Sequence, residues 1–591
     1  MQFDKYINAI LIWRHKHINE RTFVILFSAL IGFLSGFAAV VIKDSVFFIK
    51  ELLVNGFIQE YHTYLFFAFP LIGILVTVLI VKYLIKQDLG DGVPTTLYAI
   101  SRQNGFMKSH HMYSSIITSA ITVGFGGSVG LEGPAVSTGA AIGSNISRYF
   151  KMNYKNTILF IGCAASGAMG AIFNAPLAAI IFSLEVLMLD LTMSSLIPLL
   201  IASACASLTS YFFTGRDVLF HFTLKEGYSL SEIPFYLLLG ILAGLISLYF
   251  TKVHFFIGKQ FRKIENIYIK ALTAGIILGV MIYFLPPLYG EGYQTINSLL
   301  AGHYTETLRH SIFITKSADP QTFILFFGLL VLVKVFATSI TLHGKGVGGI
   351  FAPSLFLGGS LGFLFAYVIK FLKLGNISIT NFTLVGMAGT MAAILHAPLT
   401  AIFLIAEVTS GYGLIIPLMI TSAVAYITIK YFEPHSIYTR QLAKQGDLIT
   451  HHKDKAVLTM LKLEKVIETN FILVKTDDTL RVLVKAIKES NRNIFPVVDD
   501  ENNFLGLIPL DNVRNIMFDE SLYDIVYVKE LLIDPQEVIN LNDSMEEVMN
   551  KFKNTGLWNL PVVEKGKYRG FVSRANIFNA YRKLLVEFSE D

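Results

Sequence analysis

From about Phe23 to Phe432 long apolar runs alternate with short polar stretches, and beyond Phe432 that pattern ends. Phe23–Ile42, Tyr64–Val81, Phe235–Phe250 and Phe323–Thr341 each approach the ~20 residues that a helix needs to cross a bilayer, so each predicts a membrane span. Other apolar runs are shorter and broken by glycine or proline, among them those around Gly124–Ala141, Gly162–Ala175 and Gly346–Phe356. Irregular backbone at membrane depth survives only where it is buried in protein or lines an aqueous path. Many short, interrupted segments therefore predict a channel or transporter.

The apolar region is duplicated. GSVGLEGPAVSTGAAIG (Gly127–Gly143) and ASGAMGAIFNAPLAAIIFSLEV (Ala165–Val186) return as GKGVGGIFAPSLFLGGSLG (Gly344–Gly362) and GTMAAILHAPLTAIFLIAEV (Gly389–Val408). Pro134 matches Pro353, Ala175-Pro176 matches Ala397-Pro398, and Glu185-Val186 matches Glu407-Val408. Matched pairs of glycine-interrupted segments are the mark of inverted-repeat transporters, whose ion site lies where the halves meet. The letters show the duplication but not the inversion.

Past Phe432 the composition is that of a soluble protein, with a second, smaller repeat from roughly Val466 to Asp591. Each copy reads as a strand, a capped amphipathic helix, a Pro-Val-Val strand, a turn, a strand and a second helix, with Thr476 and Asn542 as candidate caps. Pro496-Val497-Val498 pairs with Pro561-Val562-Val563, and Gly506/Asp511 with Gly570/Asn576. The predicted layout is an N-terminal helix over 1–21 and a membrane domain over 22–442, with repeats at about 22–215 and 234–432. A linker over 443–465 leads to two α/β modules over 466–520 and 521–591.

Composition agrees with this division. The chain is 53% hydrophobic and 15% charged, against about 25% charged for soluble globular proteins. A net charge of +5, dispersed along the chain, excludes a nucleic-acid binder. Cys163 and Cys205 both lie in apolar runs, so buried packing is expected and a disulfide is not. The Lys, Arg and His ahead of the first span predict a cytoplasmic N-terminus on a multi-pass protein of the cell membrane, and the C-terminus is expected in the cytoplasm too.

Three glycine-proline clusters carry the candidate chemistry: GDGVP (Gly90–Pro94), GLEGP (Gly130–Pro134) and GIFAP (Gly349–Pro353), each just ahead of an apolar helical run. Glycine brings backbone N–H groups close to a ligand, and proline favours the first helical turn. A helix start offers unpaired donors and the positive end of the macrodipole. Several such starts converging at membrane depth would cradle a partly dehydrated anion without gripping it as a full positive charge would.

With these clusters the sequence resembles the CLC family of chloride channels and proton/chloride antiporters over about Thr22 to Leu442. The clusters look like that family's GSGIP, GREGP and GxFxP motifs in order, and FNAPLAAIIFSLEV and HAPLTAIFLIAEV fit too. The C-terminal tandem resembles the CBS-domain pair that many CLC proteins carry. The resemblance implies a polytopic α-helical membrane protein of the CLC fold, an inverted repeat of broken helices, followed by an α/β tandem CBS domain. It also implies a homodimer that conducts chloride or similar small anions, with no cofactor required.

Glu132 is then the expected gate. A carboxylate at a helix start inside the membrane is a functional hypothesis by default, and ionised it competes with the permeant anion. The bland alternative is a helix N-terminal Glu worth ~0.3–1 kcal/mol. Tyr438, in HSIYTRQL, matches the family tyrosine whose hydroxyl reaches the central chloride. The backbone at Gly130, Leu131, Gly133, Gly349, Ile350 and Phe351 would supply the remaining donors.

Three departures from the pattern matter. Asp91 stands where the family usually has serine; like charges at ~4 Å would repel by about 4 kcal/mol at an effective dielectric of ~20. Either Asp91 turns away to cap its helix, or it is protonated and takes part in gating, or the central anion site is weak or altered, and the pH profile of Asp91→Ser flux tests the gating role. Leu131 replaces the usual cation, which should lower anion capture and favour a protonated Glu132. Val186 replaces the glutamate that relays protons from the inside in antiporters, so the sequence leans toward a gated chloride channel, with proton-coupled antiport as the alternative.

Lys334, in a long apolar run, either draws anions inward or pairs and snorkels, and His396 reads as a packed polar residue. Glu185 recurs as Glu407, which predicts a structural role at helix ends. In the tail, Ser573 and Asn576 have the spacing that holds a nucleotide ribose in CBS pairs, whereas Ile508–Asp511 has the acid without the hydroxyl. Binding of ATP, ADP or AMP and plain dimerisation both stay open. A CBS-bearing cation transporter would need clustered intramembrane carboxylates, and an enzyme would need a nucleophile–base or metal constellation; neither pattern is present in the sequence.

Overall fold

The structure is a computed structural model. It describes residues 17–53, 65–87, 89–90, 92–189, 192–215, 227–308, 319–409, 411–444, 461 and 463–589. Most of the expected N-terminal helix over 1–21, Asp91 and most of the 443–465 linker lie outside these residues. The chain forms two units, Met1–Leu448 and Ile449–Asp591.

The first unit is all helical. Its first repeat runs α1 (Glu20–Glu51), α2 (Leu65–Leu79), α3 (Val93–Arg102), α4 (His111–Gly124), α5 (Glu132–Tyr149), α6 (Tyr154–Phe173), α7 (Pro176–Glu185) and α8 (Met193–Thr214). The second runs α9 (Ile233–Arg262), α10 (Ile267–Phe284), α11 (Tyr293–Leu300), α12 (Pro320–His343), α13 (Phe351–Phe371), α14 (Ile379–Leu395), α15 (Pro398–Val408) and α16 (Ile415–Phe432). The short α17 (Arg440–Lys444) closes the unit. Nine helices among the described residues are long and apolar enough to cross a membrane. The four spans expected from the sequence all fall on such helices. Ile267–Phe284, Ser194–Thr214 and Ile415–Phe432 join them, as do Tyr154–Phe173 and Phe351–Phe371, which continue unbroken through glycines expected to interrupt them.

Each repeat is assembled in the same way. α5 packs on α6 and α13 on α14, while α1 packs on α6 and α8 as α9 packs on α14 and α16. Local chemistry matches as well. The Asn153 side chain accepts from the Asn156 amide to start α6, and Ser378 accepts from the Asn381 amide to start α14. Asn174 and His396 end those helices in the left-handed conformation, at φ 52° and 56°, just ahead of Ala-Pro. His396 therefore marks a chain turn and stacks edge-on against Tyr426. Cys163 is buried and Cys205 half-buried, both as free thiols, so the expectation of full burial holds only for the first.

Glu185 and Glu407 reveal the relation between the repeats. Glu185, at the end of α7, accepts from the amides of Leu399 and Thr400 at the start of α15, at 3.2 and 2.8 Å. Glu407, near the end of α15, accepts from the amides of Leu177 and Ala178 at the start of α7, at 3.1 and 2.8 Å. Equivalent helices thus lie antiparallel, each capped by the other's carboxylate. The inversion that the sequence left open is visible here, and the predicted structural role of both glutamates takes the form of exchanged caps.

The second unit holds two sheets, β1 (Ile467–Glu468), β7 (Lys567–Ser573), β6 (Asn559–Glu564) and β5 (Ile539–Asn540) in one, and β2 (Val474–Lys475), β3 (Ile494–Val498) and β4 (Phe504–Pro509) in the other. The copies share their pairing down to a bulge after the first valine of Pro-Val-Val, where Val497 faces Gly506 and Val562 faces Gly570. Helix α18 (Leu480–Glu489) starts after Thr479, whose side chain makes no cap bond, and α19 (Met545–Thr555) is capped at Ser544 in a capping box with Glu547. Thr476 and Asn542 are therefore not the caps. The side chains of Asp478 and Asp543 first turn back to accept from the amides of Lys475 and Asn540, and each helix starts only after that turn.

Candidate functional site

The segments leading into α5 and α13 cross as a short antiparallel bridge. The Gly130 amide donates to the Gly349 carbonyl at 2.8 Å, and the Gly349 amide to the Gly130 carbonyl at 2.7 Å. These glycines are equivalent positions of the duplication, so the two helix starts face each other about a local two-fold. A Cβ on Gly349 would lie 2.8 Å from the Gly133 nitrogen, so only glycine permits this approach. Gly92, which caps α3, packs its backbone on Gly133 and brings in the third glycine-proline cluster. Gly90, Gly92, Ser115, Pro134, Gly346 and Gly348 line a small cavity at this junction.

Neither Leu131 nor Ile350, the residues preceding α5 and α13, caps its helix through a side chain. The first intrahelical bonds run from Ala135 to Leu131 and from Ser354 to Ile350. Pro134 and Pro353 lack an N–H, so the early amides of each helix are those of Glu132 and Gly133, and of Phe351 and Ala352. These donors sit at the positive ends of two helix dipoles.

Glu132 lies among them, 1% exposed. Its Oε1 accepts a hydrogen bond from the Tyr293 hydroxyl. Its Oε2 lies over Gly130, on the side where the Ala352 amide is found. Tyr293 is the first residue of α11. It follows Gly292, whose φ of 93° and close contact with Phe356 of α13 exclude a side chain. An anion taking the place of the Glu132 carboxylate would meet the same hydroxyl and amides.

Tyr438 is buried in the turn after α16. There the Ser436 hydroxyl accepts from the Thr439 amide and the Ile437 amide donates to Ile394 at the end of α14. Leu131 is enclosed in the apolar core, and Val186 is buried at the end of α7. Lys334 does not snorkel: it is 0% exposed, donates to Ser128 Oγ at 2.8 Å and the Gly290 carbonyl at 3.2 Å, and lies 4.6 Å from the Phe356 ring centroid. Sequence reading missed Tyr293, Ala352 and Glu291. The repeat was the available signal for the last, since Gly290-Glu291-Gly292 echoes Gly90-Asp91-Gly92.

In the second unit Ser573 donates to Glu468 at 2.5 Å and accepts from the Asn576 amide, while the Asn576 side chain donates to the Val466 carbonyl. Both candidate ribose residues are thus engaged in starting the C-terminal helix. Strand register pairs Ser573 with Asn559 and Pro509 with Ile494, so the counterpart of Ser573–Asn576 is Pro509–Asn512. Asp511 falls one position short of that match and instead pairs with Arg514 at the surface.

Known proteins agree with this architecture. Residues 72–430 match the family model described as "Voltage gated chloride channel", and 463–519 and 528–583 match the CBS domain. A ClcB-like chloride channel protein of Ralstonia nicotianae is 27% identical over 64% of this chain and 85% of its own. The H(+)/Cl(-) exchange transporter ClcA of Vibrio cholerae is 28% identical over 71% of this chain and 89% of its own. The crystal structure of a slow cyanobacterial Cl-/H+ antiporter superposes with a TM-score of 0.62 at 22% identity, over 73% of this chain and all of that one. With its paired helix starts, its buried glutamate and its duplicated membrane unit, the chain belongs to the voltage-gated chloride channel family, the CLC anion transporters, and carries a pair of CBS domains behind its membrane unit.

Proposed function

We propose that this protein is a proton-coupled chloride antiporter in which Glu132 is both the gate and the proton carrier. The carrying observation is a buried carboxylate held where helix starts of both repeats converge, in the place a bound anion would take. Ionised, Glu132 competes with chloride for the hydroxyl of Tyr293 and the amides around it; protonated, it yields them. Tyr438 then serves a second, deeper chloride position. The relative from Vibrio cholerae, named as an exchange transporter, supports coupling. This reading sets aside the channel preference drawn from Val186.

That residue still favours a second reading, a gated chloride channel, because valine carries no proton and the inner route of an antiporter would have to avoid position 186. In either case the protein works as a homodimer in the cell membrane with cytoplasmic termini, and the CBS pair regulates it, with or without an adenine nucleotide. Reconstituted vesicles decide between the two. A chloride gradient should drive protons uphill, and Glu132→Ala should keep chloride flux while losing proton movement. Chloride flux without proton movement in the unaltered protein would establish the channel.

A further inference from the structure

Glu291 sits between two glycines of positive φ, Gly290 at 66° and Gly292 at 93°, directly ahead of the tyrosine that holds Glu132. Its carboxylate accepts from Lys50 Nζ, on the last turn of α1, at 3.2 Å. Lys334 of α12 bonds the neighbouring Gly290 carbonyl. Lys50 of α1 thus pairs with Glu291 itself, Lys334 of α12 holds the residue before it, and Tyr293, two residues on, holds Glu132 of α5. Side-chain exposure falls from 27% at Lys50 to 13% at Glu291, and Glu132 beyond them is 1% exposed.

With both carboxylates ionised this cluster carries two positive and two negative charges. A chloride replacing the Glu132 carboxylate preserves that balance, and so does its departure when the carboxylate returns. The charge on Glu291 and the charges on the two lysines act on the Glu132 carboxylate in opposite senses. We propose that Glu291 is a positioning residue that sets the external proton concentration at which Glu132 becomes protonated, with Lys50 and Lys334 fixing how strongly it acts. This inference rests on the gating role given to Glu132 above. It places a regulator of proton uptake in the second repeat, at the motif equivalent to Gly90-Asp91-Gly92.

Chloride flux through the full-length protein in vesicles, measured across external pH, tests it with three variants. Glu132→Gln should flatten the pH profile. Glu291→Gln removes a negative neighbour, so more acid is needed to protonate Glu132 and the midpoint should move down by on the order of one pH unit. Lys50→Gln removes a positive neighbour and should move the midpoint up. An unchanged midpoint in Glu291→Gln, or shifts of both variants in the same direction, overturns the proposal. Should Glu291→Gln not assemble, Lys50→Gln on the partly exposed rim decides, and an unchanged midpoint there overturns it. A full pH profile retained in Glu132→Gln refutes the gating role itself, an outcome distinct from a flat Glu132→Gln profile beside an unshifted Glu291→Gln.

Discussion

The Tyr293 hydroxyl gives the Glu132 carboxylate a hydrogen bond of the charge-assisted kind, worth about 1.5–3 kcal/mol. Tyr293→Phe deletes that bond and keeps the ring, so on the gating reading the carboxylate leaves its place more easily. Resting chloride efflux at neutral pH should then rise about tenfold or more, and a flux assay on vesicles measures it directly. Gly349→Ala acts in the opposite sense. The added Cβ meets the Gly133 nitrogen at 2.8 Å, a backbone atom that has nowhere to go. Overpacking of this kind typically costs about 1–3 kcal/mol, so both transport and the detergent melting temperature should fall. Glu132, Gly130 and Gly349 were legible in the sequence because their motif is local. Tyr293 and Ala352 were not, because they reach the carboxylate through packing between elements distant in the chain.

Glu185→Gln and Glu407→Gln each replace a carboxylate that caps a partly exposed helix start with a neutral amide. Each should lower stability by about 1–2 kcal/mol, read as an earlier thermal unfolding. Their recurrence at matched positions made a structural role legible. The antiparallel arrangement was not, because an apolar helical pattern reads the same in both directions. In the tail, a turn in each copy moves the helix start past the nearest capping candidate, and hydrophobic periodicity does not register such a turn. The Asp499 carboxyl is held below its ordinary value, chiefly by the Asn503 side-chain amide and then by its backbone N–H. A carboxylate lowered in this way contributes stability above its ordinary range and loses it as the pH falls through the folded value. The turn from Asp499 to Asn503 should therefore loosen only below about pH 4, as faster hydrogen exchange at Glu501 and Asn503.

For the whole molecule, apolar content drops after Phe432 and the chain divides into its two units after Leu448, since burial in lipid and burial in a small α/β core demand different compositions. The duplication foretold two similar halves, and the structure adds that neither half finishes itself. Each of α7 and α15 takes its cap from the other, and the Gly130–Gly349 bridge has one strand from each half. A half made alone would leave helix donors and acceptors exposed inside a bilayer that offers no substitutes. The polypeptide link between the halves is dispensable in principle, because what joins them is already non-covalent. A chain divided between residues 215 and 227 and produced as two pieces should reassemble and recover chloride flux, whereas either piece alone should be degraded.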